Sequence, residues 1–224
     1  MTSDSCDEEM KKELKERWDD MTNWMTGDVK NKWWEKIQTA YNEPTRKYHT
    51  LAHLHQMFQH YDQHKDSLTN LYACAYAIFF HDIVYNPRSS DNEEQSALTF
   101  KQFATETTLD ESTFIMDLIK ATATHCTDAH RHKDSTGSDD IHYFLDIDMA
   151  VLGADKEDYD QYRQQIREEY SHFDDKTYAQ NRSKVLQFFL EIPNIFATQV
   201  FRESYEERAR KNIQREIDDL KQLI

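Results

Sequence analysis

Glycine and proline are nearly missing from this chain, with three of each among 224 residues. Tight turns draw on these residues, so a sandwich or barrel of many short strands is disfavoured and long helices are expected. Cysteine is also sparse. Cys6, Cys74 and Cys126 are odd in number, irregularly spaced and without a C-x-x-C pair, which points to no disulfide framework and to a reducing, cytoplasmic location. No apolar run is long enough to span a bilayer, and the acidic N-terminus is unlike a signal peptide, so no membrane partner is expected. The formal net charge is -15 and no basic stripe is visible, which argues against a nucleic-acid polymer as partner. A small phosphorylated molecule remains compatible with that charge, because a metal ion and a few arginines can reverse the field inside a pocket.

What is present is a supply of large core side chains, 12% aromatic, spread over the whole length. One domain covering residues 1–224 is the expectation, with about the first ten residues polar and frayed. Helical periodicity runs from Lys12 to Tyr41 through Leu14, Trp18, Met21, Trp33, Trp34 and Ile37, with a break at Gly27. Asn42-Glu43-Pro44 is a turn, and Tyr48 to His64 reads as the next helix. Leu68 to Phe80 is the most apolar stretch and suits a buried helix. After the loop Asn86 to Asn92, helices are expected at Glu93–Ala104 and Asp110–Thr124, then a polar loop over residues 126–140. An apolar pattern returns at Leu145–Leu152, followed by helices at Asp158–Tyr170, Asn181–Leu190 and Ser204–Leu223.

Four places carry chemistry. His81-Asp82 directly follows the apolar run Ala75 to Phe80, where two ionisable groups are costly unless paired or bound to a cation. His49 and His53 stand one helical turn apart, a spacing that can present two imidazoles to one site. Asp146 and Asp148 are embedded in the apolar run Phe144 to Gly153 and need partners, of which a metal is one. His125 closes Thr122-Ala123-Thr124-His125 at the end of an amphipathic helix and is a candidate for substrate or a second metal. The plainer readings are satisfied core histidines and helix-capping aspartates.

In this order the pieces resemble the HD superfamily of metal-dependent phosphohydrolases. They match best the branch of small predicted HD-superfamily hydrolases, with the pattern Y-x-E-P-x-R-x-Y-H-x-x-x-H at Tyr41–His53. F-H-D-x-V-Y follows at Phe80–Tyr85, N-E-x-x-S-A at Asn92–Ala97, and L-D-x-D-x-x-x-L-G at Leu145–Gly153. The resemblance implies an all-α, compact helical bundle of the HD type. It also implies one divalent metal ion (Mn, Co, Ni, Mg, Fe or Zn) held by His53, His81, Asp82 and Asp148, with Asp146 as the rival for the last place. Hydrolysis of a nucleotide or related phosphoester is the implied activity. Asp82 would hold the metal and orient water, Glu93 would act as general base, and Arg46, His49 and His125 would bind substrate. Arg167 and Arg210 are second candidates for phosphate, their alternative being ion pairs with nearby acids.

Two other readings stay open. One is a two-iron oxygenase on the same fold, against which stands Asn92 where such enzymes place a histidine. The other is a nucleotide-binding or regulatory module without turnover. Oligomeric state is not readable in the sequence.

Overall fold

The computed structural model describes residues 3–224 apart from residue 111, and the described residues are helical without strands. Helix α1 (Ser3–Met21) starts earlier than the frayed end expected over the first ten residues. The i,i+4 pairs such as Lys12–Glu16 at 3.6 Å line its exposed face. Residues 1 and 2 lie outside the described residues. The chain packs as two compact units, residues up to Asp66 with Asn70–Ala123, and Ser67–Thr69 with Thr124–Ile224.

The first unit holds α1, α2 (Gly27–Tyr41), α3 (Leu51–His64), α4 (Leu71–Phe80), α5 (Asn92–Thr107) and α6 (Ser112–Ala121). Helix α4 is apolar on every face, and Ala73 to Phe80 are all buried, so it forms the axis of this unit. Asn70 caps it, its side-chain oxygen accepting the Ala73 N–H at 2.9 Å. Around α4 the rings of Trp18, Trp33, Tyr76, Phe79, Phe80, Phe100 and Phe103 interlock. Trp18 meets Phe79 edge-on at 5.4 Å, and Trp33 meets Phe103 edge-on at 5.3 Å. The low mean hydropathy thus coexists with a core rich in large aromatic side chains.

The second unit holds α7 (Asp128–Arg131), α8 (Asp140–Met149), α9 (Lys156–Glu169), α10 (Asp175–Glu191), α11 (Gln199–Phe201) and α12 (Glu207–Leu220), with a π-helical turn at Arg202–Glu206 before α12. The expected polar loop 126–140 contains the short helix α7. It is held by a capping box in which Thr127 N–H donates to His130 Nδ1 at 3.0 Å. Gly153 lies against the π-helical turn, where a Cβ would come within 2.9 Å of the Tyr205 backbone Cα, so a side chain is excluded there. A buried ionic group joins three helices: Arg182 Nε donates to Glu216 at 2.9 Å and the Tyr159 hydroxyl donates to Glu216 at 2.6 Å.

Candidate metal centre

The first unit brings two segments together. One is the start of α3, which begins three residues later than the periodicity suggests. Thr50 is its N-cap, accepting the Ala52 N–H at 3.3 Å, so His49 precedes the helix and His53 lies in its first turn. The other is the end of α4, where the buried run delivers His81 and Asp82 into the turn that follows. His81 still continues the helix hydrogen bonding, its N–H donating to the Ala77 carbonyl at 2.8 Å.

His53 and His81 are 3% and 1% exposed, and their Nε2 atoms lie 3.2 Å apart. Asp82 Oδ2 is 3.0 Å from His81 Nε2. His81 Nδ1 donates to the Ile78 carbonyl at 2.9 Å, which fixes the ring and turns Nε2 toward the cluster. Tyr48 packs on the His53 ring at 4.8 Å and steadies its plane. The three donor atoms lie within 4.8 Å of one another.

These residues fit a divalent ion. Nitrogen and oxygen donors each about 2.0–2.2 Å from a shared ion stand about 3 Å from each other in tetrahedral or octahedral arrangements. The 3.2 Å and 3.0 Å separations are compatible with such spacing. Two imidazoles and a carboxylate suit Mn, Fe, Co, Ni or Zn better than Mg, whose preference is for oxygen.

Arg46 lies against this cluster, but not as expected of a phosphate binder. Its side chain is wholly buried. Its Nη1 donates to the Asp82 carbonyl at 2.5 Å and to the His49 carbonyl at 3.4 Å, Nη2 donates to the Ile83 carbonyl at 3.2 Å, and Nε donates to Glu43 at 3.2 Å. The fork that was read as an oxyanion site is engaged by main-chain oxygens. His49 is stacked on Tyr85 at 4.2 Å, and its Nε2 is 3.9 Å from Asp82 Oδ2. Tyr41, which opens the motif but has no assigned role there, accepts the Asp82 N–H at its hydroxyl at 3.2 Å.

Glu93 sits half-buried in the first turn of α5. The contacts of α5 to the loop after Asp82 come from its neighbours. Ser96 Oγ accepts the Val84 N–H at 3.1 Å, and Asn92 and Asn86 exchange two hydrogen bonds at 3.0 Å each. Asn92 therefore pins a loop. Ser96 was detectable as a small polar residue on the buried face of an otherwise amphipathic helix.

In the second unit His125 Nε2 and Asp148 Oδ2 are 2.7 Å apart. His125 has φ +48°, a left-handed conformation that β-carbon residues rarely adopt. Asp146 is 1% exposed and accepts from Ala197 N–H at 2.7 Å, Thr198 N–H at 2.8 Å and Thr198 Oγ at 2.6 Å. Burial outweighs these bonds and pushes its carboxyl up to about 7. Both Asp146 oxygens thus tie the chain segment before α11, whereas Asp148 lies at the half-buried rim of α8. His130 is 1% exposed, and burial, then the neighbouring His142 and His125, push its imidazole down to about 4.

Arg167 and Arg210 follow the structural alternative. Arg167 donates to the Tyr170 and Phe173 carbonyls and to Asp175, and Arg210 to Glu206 and the Leu190, Ile192 and Pro193 carbonyls.

No helix among the described residues is long and apolar enough to cross a membrane. No protein-family model matches this chain, and no curated protein or solved structure matches it either.

Proposed function

We propose that this chain is a metal-dependent hydrolase of a small phosphorylated molecule, a nucleotide or related phosphoester, built on an HD-type helical unit. The observation that carries this reading is the meeting of His53, His81 and Asp82 from two segments at ligand-to-ligand spacing. His53 and His81 would hold the ion through their ring nitrogens, and Asp82 would add the negative charge. Asp148 as the last ligand rests on the sequence resemblance, as does Glu93 as general base. Bound there, a divalent ion supplies Lewis acidity toward a phosphoryl oxygen and toward water.

The side chain of Asp82 is 15% exposed against 1% for His81, so solvent and substrate reach the centre from the carboxylate side. Asp82 is placed to orient a water on that side by accepting its proton in a hydrogen bond. His49, 19% exposed beside Asp82, is placed to donate to a phosphate oxygen. A cytoplasmic location accompanies this reading and is supported by Cys6, Cys74 and Cys126 being free thiols.

Imidazoles and carboxylates also serve iron in oxygenases, which keeps the two-iron oxygenase as the second reading. Metal analysis followed by a phosphoester screen with that metal restored separates the two. One ion of Mn, Co, Ni, Mg or Zn with hydrolysis supports the first. Two irons per chain with oxygen consumption and no hydrolysis support the second.

A further inference from the structure

We infer that Arg46 is a positioning residue of the metal centre, a main-chain clamp that holds the two ligand-bearing segments in register. The inference rests on the reading of His53, His81 and Asp82 as metal ligands, and it replaces phosphate binding as the role of this arginine.

The carbonyls to which Arg46 donates come from both sides of the centre. Those of Asp82 and Ile83 belong to the turn after α4, at 2.5 Å and 3.2 Å. That of His49 belongs to the residue before the N-cap of the helix carrying His53, at 3.4 Å. One planar group therefore ties residue 82 to residue 49. The guanidinium is fixed in turn by Glu43 at 3.2 Å and by the rings of Tyr41 and Tyr85, at 5.0 Å and 5.4 Å from their centroids. Tyr41 completes the grip, since its hydroxyl takes the Asp82 N–H at 3.2 Å. Both main-chain polar groups of Asp82 are thereby held by side chains.

The turn after a helix has no repeating hydrogen bonds of its own, so the position of Asp82 depends on these contacts. Donor atoms must be placed to within a few tenths of an ångström for an ion to be held tightly, and supporting residues set that placement. Lysine cannot substitute, because its single nitrogen does not span three separated carbonyls as the planar fork does.

The test uses Co2+ as the probe, titrated into the metal-free full-length chain and read by its visible absorption, with helix content and thermal melting recorded for each metal-free variant. Wild type, His53→Ala, Arg46→Lys and Tyr41→Phe are compared, and inorganic phosphate is titrated into each Co2+-loaded protein. The expected result is a loss of Co2+ affinity of about ten- to a hundredfold in Arg46→Lys, with an altered visible spectrum. Tyr41→Phe should show a smaller loss in the same direction, and phosphate binding to the loaded site should persist. Wild-type Co2+ affinity in Arg46→Lys together with lost phosphate binding would overturn the inference. Should Arg46→Lys not fold, Tyr41→Phe decides, and unchanged Co2+ affinity in it overturns the clamp. Absence of Co2+ binding in the wild type would remove the metal reading itself, whereas a wild type that binds and a His53→Ala that does not would leave that reading standing whatever Arg46 shows.

Discussion

His53 Nε2 and His81 Nε2 face each other at 3.2 Å across two segments that are 28 residues apart in sequence. Because Nδ1 of His81 already donates to Ile78, two lone pairs at this separation repel unless a proton or a cation lies between them. Thermodynamic linkage follows. An ion that binds only the folded chain stabilises it by about 2.7 kcal/mol at a hundred times its dissociation constant. Thermal melting of the wild type with and without Co2+ should show a rise that His81→Gln abolishes. Equal rises in both proteins would place the ion elsewhere.

The core of the first unit makes a prediction independent of metal. Trp18 is fully buried and meets Tyr76, Phe79, Phe80 and Phe103 at centroid distances of 5.4–6.3 Å. Trp18→Ala should cost about 3–5 kcal/mol in urea unfolding. A loss below about 1 kcal/mol would mean that this ring cluster is not the centre of the core.

Asp146 and Asp148 should behave differently despite lying two residues apart. Asp146→Ala removes the acceptor of three buried hydrogen bonds and should destabilise the fold by at least about 2 kcal/mol. Asp148→Ala should leave the fold within about 1 kcal/mol of wild type and, by the sequence resemblance, lower metal content. Loss of metal in Asp146→Ala at unchanged stability would reverse the two roles.

Opposed pH effects are expected in the second unit. Asp146, pushed up to about 7, stays protonated in the folded chain while its unfolded counterpart ionises near 3.8. Its contribution to stability is present below that value and is lost as pH rises through about 7. His130, pushed down to about 4 from 6.5, does the reverse: its contribution is present above 6.5 and is lost as pH falls through about 4. Between these limits each changes stability by up to about 1.4 kcal/mol per pH unit, with opposite sign. Relative to wild type, Asp146→Asn should make stability rise more steeply with pH between about 4.5 and 6.5, and His130→Asn should make it fall. Parallel curves for the three proteins in urea unfolding would contradict both assignments.

Much of this was legible in the residues. Scarce glycine and proline with helical periodicity pointed to an all-α chain, and the apolar run ending at His81-Asp82 marked the place where His53, His81 and Asp82 meet. The surroundings of Arg46 are not legible in the sequence, for a physical reason. A guanidinium suits phosphate oxygens and main-chain carbonyls equally, and the carbonyls of residues 49, 82 and 83 become neighbours only on folding. The same holds for Asp146, whose partners at residues 197 and 198 lie in a stretch without periodicity. The helical start over Ser3 to Lys11 was not legible either, since a polar, charged run carries no apolar period.

The central claim is tested most directly by metal analysis of wild type beside Asp82→Ala, each reconstituted with divalent ions and assayed for phosphoester hydrolysis. The account predicts bound divalent metal and hydrolysis in the wild type, with both lost in the variant at unchanged helix content. Equal metal in the two proteins, or none in either after reconstitution, would contradict it.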